Sequence, residues 1–281
     1  MGDLVAEIVS FGDSFIWGSE IPGNSAGELA WPGLIAKRLG YTYETRAEPG
    51  CGNGRILRQI LTWANDRKTE PVLAVINWTW SSRWDVFKDN PDQWVTVGPT
   101  CTTDTLASKV GQETSERWLN FYLKHRAFKA VPCAISSLRY MATACWVLDH
   151  LEIPCLHTYM QYDMFADNLS GSVLDMYQKM QERGHPEWPL CETMEEFLAL
   201  PDHIQQDAQD WWRRMEMPPQ GKILQDMLRP RMETWQGMNF RDWCQHRGHE
   251  ITPAPGRHPL ARAHEDAADF WFHRYAQTAP R

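Results

Sequence analysis

After a short start the chain enters the apolar, β-branched run Ile8-Val9-Ser10-Phe11, which stops at Gly12-Asp13-Ser14 and meets a second glycine at Gly18. A run cut off this way predicts a buried strand that hands its last residues to the turn before a helix. From Trp31 to Leu39 the apolar positions Trp31, Leu34, Ile35 and Leu39 recur at helical spacing. Pro32 suits the first turn of that helix and Gly40 its stop. Residues 41–46 alternate and are β-prone, which predicts a second strand. The turn Glu48-Pro49-Gly50-Cys51-Gly52-Asn53-Gly54 leads into a helix with Ile56, Ile60, Leu61 and Ala64 on one face. Residues 71–76 are continuously apolar, as expected of a strand covered on both faces, and end in Asn77-Trp78-Thr79-Trp80-Ser81-Ser82.

Residues 83–112 have no clear period and read as a long excursion over the sheet edge. Helical pattern returns over 113–129, and again over 134–151 with Ile135, Leu138, Ala142, Cys145 and Leu148 on one face. Residues 153–160 then predict a fourth strand. This alternation of strand and helix implies an α/β chain with a parallel, doubly wound sheet. Residues 162–240 are rich in Met, Trp and charge, with helical pieces, prolines and no strand. They read as a helical insertion or cap within one domain spanning 1–281. Asp210-Trp211-Trp212-Arg213-Arg214 fits an amphipathic helix face better than a substrate platform. The chain closes with Gly256-Arg257-His258-Pro259 and a helix placing Leu260, Ala263, Ala267 and Trp271 together.

Composition narrows the partners. A net charge of −8 without a basic run argues against a nucleic-acid backbone as partner. The seven cysteines are scattered, odd in number and form no Cys-x-x-Cys pair, so they read as small apolar fillers in a reducing, cytoplasmic setting, with no zinc site or other metal. The first residues lack the basic and apolar segments of a signal peptide, and no run of about 18 apolar residues predicts a membrane span. Fifteen Trp residues suit a core, an interface or a sugar platform, with the core as the default. Self-association or a larger assembly stays open.

Ser14 stands where a strand ends and a helix begins, a position that suits a nucleophile, although Asp and Ser are also ordinary turn and cap residues. With Ser14 after the first strand, a glycine turn after the second, a polar cluster after the third and a histidine before the last helix, the candidates gather at one sheet edge. In open α/β sheets that edge is where ligands bind. In this order of blocks the chain resembles the SGNH (GDSL-like) hydrolase superfamily. Its Gly-Asp-Ser block matches Gly12-Asp13-Ser14, its second-block glycine matches Gly50, and its final histidine, often followed by proline, matches His258-Pro259. The 31–40 stretch is similar to the helix that follows the first block. Two departures stand out. The family's Gly-x-Asn-Asp falls on Asn77-Trp78-Thr79-Trp80, and the acid three residues before the histidine is replaced by Pro255.

The resemblance implies a three-layer α/β/α fold with a flavodoxin-like sheet and a divergent serine esterase without cofactor. Ser14 is then the nucleophile and His258 its base. The N–H groups of Ser14 and Gly50, with a donor near Thr79, would hold the oxyanion, and Asn53 or Asn77 could supply an amide instead. His264, on the apolar face of the last helix, is the alternative base and reads better as a packed histidine. The expected substrate is a small-molecule or carbohydrate ester. An acyltransferase on the same fold, or a silent binding protein that kept only the sheet, are the competing readings.

Overall fold

The computed structural model describes residues 7–25, 27–67, 71–87, 94–98, 103–125, 130–160, 162–167, 169, 172–183, 188–253 and 258–276. Its first strand, β1 (Glu7–Phe11), runs into the single-turn helix α1 (Ser14–Trp17), and α2 (Trp31–Leu39) follows with the predicted bounds. Next come β2 (Thr42–Thr45), α3 (Asn53–Asp66) and β3 (Pro71–Trp78). The region 83–112, expected to be irregular, instead contains an antiparallel pair, β4 (Trp84–Phe87) and β5 (Trp94–Val97), followed by α4 (Thr103–Val110). Each strand has only four residues, too short for an alternation to show against its turn-rich surroundings. Val95 and Val97 are buried there with Leu106 of α4 and Tyr122 of α5 (Gln112–His125) in a small core of their own.

Helix α6 (Ala130–His150) and strand β6 (Cys155–Tyr159) complete the central layer. The sheet order is β2-β1-β3-β6, with every pairing parallel. That is the doubly wound, flavodoxin-like order, in which the chain reverses direction across the sheet between β1 and β3. Successive strand residues face opposite sides. Val9, Phe11, Ala74, Ile76 and Trp78 pack against Ile56, Ile60 and Trp63 of α3 and the inner stripe of α6. Ile8, Leu73 and Val75 face the other way, onto α2 and an aromatic layer from the last third of the chain. Two predicted details change. Leu61 of α3 points outward at 39% exposure and Trp63 takes the buried place. In addition, β3 runs two residues further than expected, so Asn77 lies inside the strand and Thr79 directly follows it.

Helix α6 is long and apolar enough to cross a membrane by length and composition, although Ser136, Ser137 and Arg139 interrupt its apolar run. Its apolarity has a local cause: Ala134, Leu138, Met141, Ala144 and Leu148 are all buried in the core beside the sheet.

The region 162–240 is helical in its described part, with α7 (Val173–Arg183), α8 (Met194–Leu198), α9 (Asp202–Arg213) and α10 (Pro219–Leu228). Tyr177, Cys191, Phe197, Ile204 and Ala208 form a satellite core of their own, whereas Met217 and Leu228, flanking and ending α10, join the core of α3 and α6. The described part of this region has no strand, only isolated bridges: Met232 pairs in parallel with His157 of β6, and Trp235 pairs antiparallel with Met238. Helix α11 (Phe240–His246) and helix α12 (Ala261–Ala276) then cover α2. Four of the fifteen Trp residues build this layer: Trp31, Trp235, Trp243 and Trp271 are buried in mutual contact, with ring centroids 5.1–6.3 Å apart. The described cysteines are all free thiols.

Candidate active site

The carboxyl ends of β1 and β3 meet at Gly12 and Asn77. A Cβ on Gly12 would lie 3.0 Å from the Asn77 carbonyl and 2.9 Å from Ile16, at a φ of +154°, so only glycine lets β1 turn here. Asp13 then caps α1, its Oδ1 accepting from the Phe15 N–H at 3.1 Å. The Ile16 and Trp17 amides bond the Asp13 carbonyl. Ser14 is thereby left at the first helical position, where an N–H has no intrahelical acceptor.

His258 reaches Ser14 from the far end of the chain. Its Nε2 lies 2.7 Å from Ser14 Oγ. The backbone around it is clamped on both sides by Thr252: the His258 N–H donates to Thr252 Oγ1 at 2.8 Å, and the Thr252 N–H donates to the His258 carbonyl at 2.9 Å. Phe15 packs on the imidazole, with ring centroids 4.9 Å apart. Burial lowers the pKa of His258 below its ordinary value, opposed by the charges of Asp13 and Glu20 and aided by Arg83. A neutral imidazole against a serine hydroxyl is the arrangement a general base needs.

Glu20 was not among the residues the sequence singled out. Its Oε1 lies 3.4 Å from His258 Nδ1. It sits six residues beyond the nucleophile, in a stretch with no acidic motif, so spacing gives no signal for it. Pro255, which stands where the resemblance expects an acid, lies outside the described residues.

Two of the expected oxyanion residues, Thr79 and Asn53, are engaged elsewhere. Thr79 Oγ1 donates its one hydrogen to Asp13 Oδ2 at 2.9 Å and accepts from Arg83 at 2.7 Å. In this arrangement its one hydrogen is spent on Asp13. Asn53 spends both amide hydrogens on the Thr79 carbonyl and Ser137 Oγ, each at 3.0 Å, and accepts from the Thr79 N–H at 2.8 Å. Asn53 is thus a strut holding the end of β3. Gly50 is exposed on its turn. Asn77 accepts from Thr158 at 2.9 Å, while its Nδ2 is buried without an acceptor among the described residues. Of the two asparagines, only Asn77 has an amide hydrogen to offer.

His264 points away from the serine. Its Nδ1 accepts from the Trp31 N–H at 3.2 Å, and burial pushes its pKa down to about 3. The residue before α2 is Ala30, which has no capping side chain, so a histidine of α12 caps that helix across the core. Helix α3 is served the same way. Its N-cap is Gly52, and Asp85 of β4 accepts from the Gly52 and Arg55 amides at 3.0 and 2.8 Å. A Cβ at Gly52 would lie 2.7 Å from that carboxylate.

Arg83 completes the buried network. It donates to Asp13 Oδ2 and the Cys51 carbonyl, each at 2.9 Å, with its guanidinium over the Trp80 ring. Cys51 donates to the Gly12 carbonyl at 3.1 Å, and burial holds its thiol well above the usual pKa, so it stays protonated. Two cavities flank this edge. One of about 270 Å³ is lined by Asn53, Arg58, Arg83, Asp85, Ser137 and Tyr140 among others. The second, of about 450 Å³, is lined by Trp17, Glu48, Arg55, Arg58, Gln59 and Thr62 among others. Among the described residues no group of His, Cys, Asp and Glu is arranged to hold a metal ion.

No family model matches the chain, and no curated protein matches it. Among solved structures it is similar to a member of the lipolytic G-D-S-L family from Veillonella parvula, at 12% identity and a TM-score of 0.43, covering 96% of this chain and 98% of that one. It is also similar to AlinE4, an SGNH-hydrolase family esterase, at 12% identity and a TM-score of 0.37 over the whole of both chains. A third similarity is to a carbohydrate esterase family 2 enzyme with a carbohydrate-binding domain from Myceliophthora fergusii, at 13% identity and a TM-score of 0.37, covering 97% of this chain and 66% of that one. At such identities, function has to be argued from this chain's own residues.

Proposed function

We propose that this chain is a serine hydrolase of small esters, working through an acyl-enzyme on Ser14. The observation that supports it is the 2.7 Å contact between His258 Nε2 and Ser14 Oγ at the carboxyl edge of a doubly wound sheet. His258 takes the Ser14 proton as Oγ attacks the ester carbonyl. The same proton then passes from Nε2 to the departing alcohol. Water attacks the acyl-serine next, giving one proton to Nε2 and releasing the carboxylic acid, after which Ser14 recovers its hydrogen. The oxyanion falls to the Ser14 N–H and the Asn77 amide. The substrate class is an acyl or acetyl ester, with carbohydrate esters included because sugar-type polar groups suit the Arg-, Gln- and Trp-lined cavity beside Trp17. The chain acts as one domain with 162–240 as an insertion, and its free thiols suit a reducing, cytoplasmic compartment.

Steady-state kinetics on a panel of aryl, acyl and sugar-acetate esters tests the proposal. The parent should turn over at least one class, and Ser14→Ala should remove that turnover while remaining folded. Undiminished turnover in Ser14→Ala contradicts the reading.

A further inference from the structure

Histidine can act as a base toward Ser14 only in one tautomer, with the hydrogen on Nδ1 and the lone pair on Nε2. His258 Nδ1 is buried, and no hydrogen bond of good geometry is made to it among the described residues. A buried N–H without an acceptor is costly, so this tautomer needs an acceptor nearby. The carboxylate at 3.4 Å is that of Glu20.

The segment that carries Glu20 is tied to the nucleophile itself. The Gly18 and Ser19 amides both bond the Ser14 carbonyl, at 2.9 and 3.2 Å, and the Ile21 amide bonds the Gly18 carbonyl at 3.1 Å. Asn24 then donates its side-chain amide to the Gly18 carbonyl at 3.0 Å, and Ile21 is buried. Four residues past its first position, α1 has therefore turned back and brought a carboxylate to the far side of the imidazole. Among the described residues, the other charged and titratable groups acting on His258 are Asp13, Arg83 and His264. Asp13 is already occupied by Arg83, Thr79 and the Phe15 amide, and His264 is neutral and bonded to Trp31.

We infer that Glu20 is the positioning carboxylate of this site, holding His258 in the Nδ1–H tautomer and stabilising the imidazolium that forms when Ser14 gives up its proton. This inference rests on the Ser14–His258 reading and deepens it. The acid comes from the loop after the nucleophile's helix, with no need of one at position 255. A buried triad carboxylate is worth about ten-thousandfold in turnover. Glu20 is 45% exposed and sits at the long end of contact range, so its contribution is smaller, about ten- to a hundredfold in kcat/KM.

The test compares parent, Glu20→Gln and Glu20→Asp in two measurements. The first is the rate of Ser14 labelling by a fluorophosphonate across pH, with melting temperature as the folding control. The second is NMR titration of the His258 ring, which needs no turnover. Glu20→Gln should slow labelling about ten- to a hundredfold. It should also lower the His258 pKa and move the acidic limb of the rate profile to lower pH, because a charge that favours the imidazolium has gone. Glu20→Asp keeps the charge and should return both readouts toward the parent. A Glu20→Gln variant with parental labelling and an unmoved His258 titration overturns the inference while leaving the esterase reading intact. A parent in which Ser14 takes no label overturns the esterase reading, and the titration then decides Glu20 alone, an unmoved pKa counting against it.

Discussion

Two clusters of polar side chains share the carboxyl edge of the sheet, and they differ in how fully they are satisfied. On one side Asp13, Thr79, Arg83, Asn53 and Ser137 are linked through at least five hydrogen bonds of 2.7–3.0 Å, in which Asn53 and Thr79 spend their side-chain donor hydrogens. On the other side Ser14, His258 and Glu20 make one short contact and one long one, and the His258 side chain retains 16% exposure. A saturated network fixes geometry, because any rearrangement strands a buried charge. An unsaturated one has lone pairs and hydrogens available to a substrate. Under the proposed mechanism the two neighbouring residues of one Asp-Ser pair thus take opposite parts: Asp13 belongs to the scaffold and Ser14 to the chemistry.

The comparison breaks most visibly at His258. His258→Ala should cut ester turnover by at least about a thousandfold with little change in melting temperature, as expected when a general base is removed from a partly exposed site. Activity assays beside thermal melts check it. Arg83→Met should do the reverse, costing about 3 kcal/mol in chemical denaturation because the fully buried Asp13 carboxylate loses its cation. His264→Leu should cost about 2 kcal/mol by stranding the Trp31 N–H at the start of α2. Its pH dependence carries a sign. The pKa of His264 is held near 3 in the fold, so the unfolded chain binds a proton below about pH 6.5 that the folded chain refuses. Parent stability from this residue is therefore present above that pH and falls as pH drops toward 3. His264→Leu should flatten the slope in part only, since His157 is held near 4 by burial and adds its own share. Smallest is Thr79→Val, which should lower stability by about 1 kcal/mol and alter turnover only through Asp13.

Much of this was legible in the chain. The two strands that lead to Ser14 and Thr79, the helix 31–39 and the packed face of the last helix follow from periodicity, because each buries a regular stripe. The order of blocks pairs Ser14 with His258, and the two side chains lie 2.7 Å apart. What periodicity does not carry is a bond between distant side chains. Thr79 follows a strand end in the position of a donor, yet which way its hydroxyl points depends on Asp13 and Arg83, neither of which the strand pattern constrains. Asp85 and His264 cap helices from other elements, so no capping motif is visible next to Gly52 or Ala30. Glu20 lies on a loop whose return toward His258 is set by bonds to the Ser14 carbonyl.

The central claim, that His258 activates Ser14, is tested most directly by fluorophosphonate labelling read by peptide mass spectrometry. The parent should carry one phosphonyl adduct, on Ser14, with a rate that rises with pH through a midpoint below the ordinary histidine value. His258→Ala should take the label at least about a hundredfold more slowly. Equal labelling of parent and His258→Ala, or an adduct on a different serine, would contradict the account.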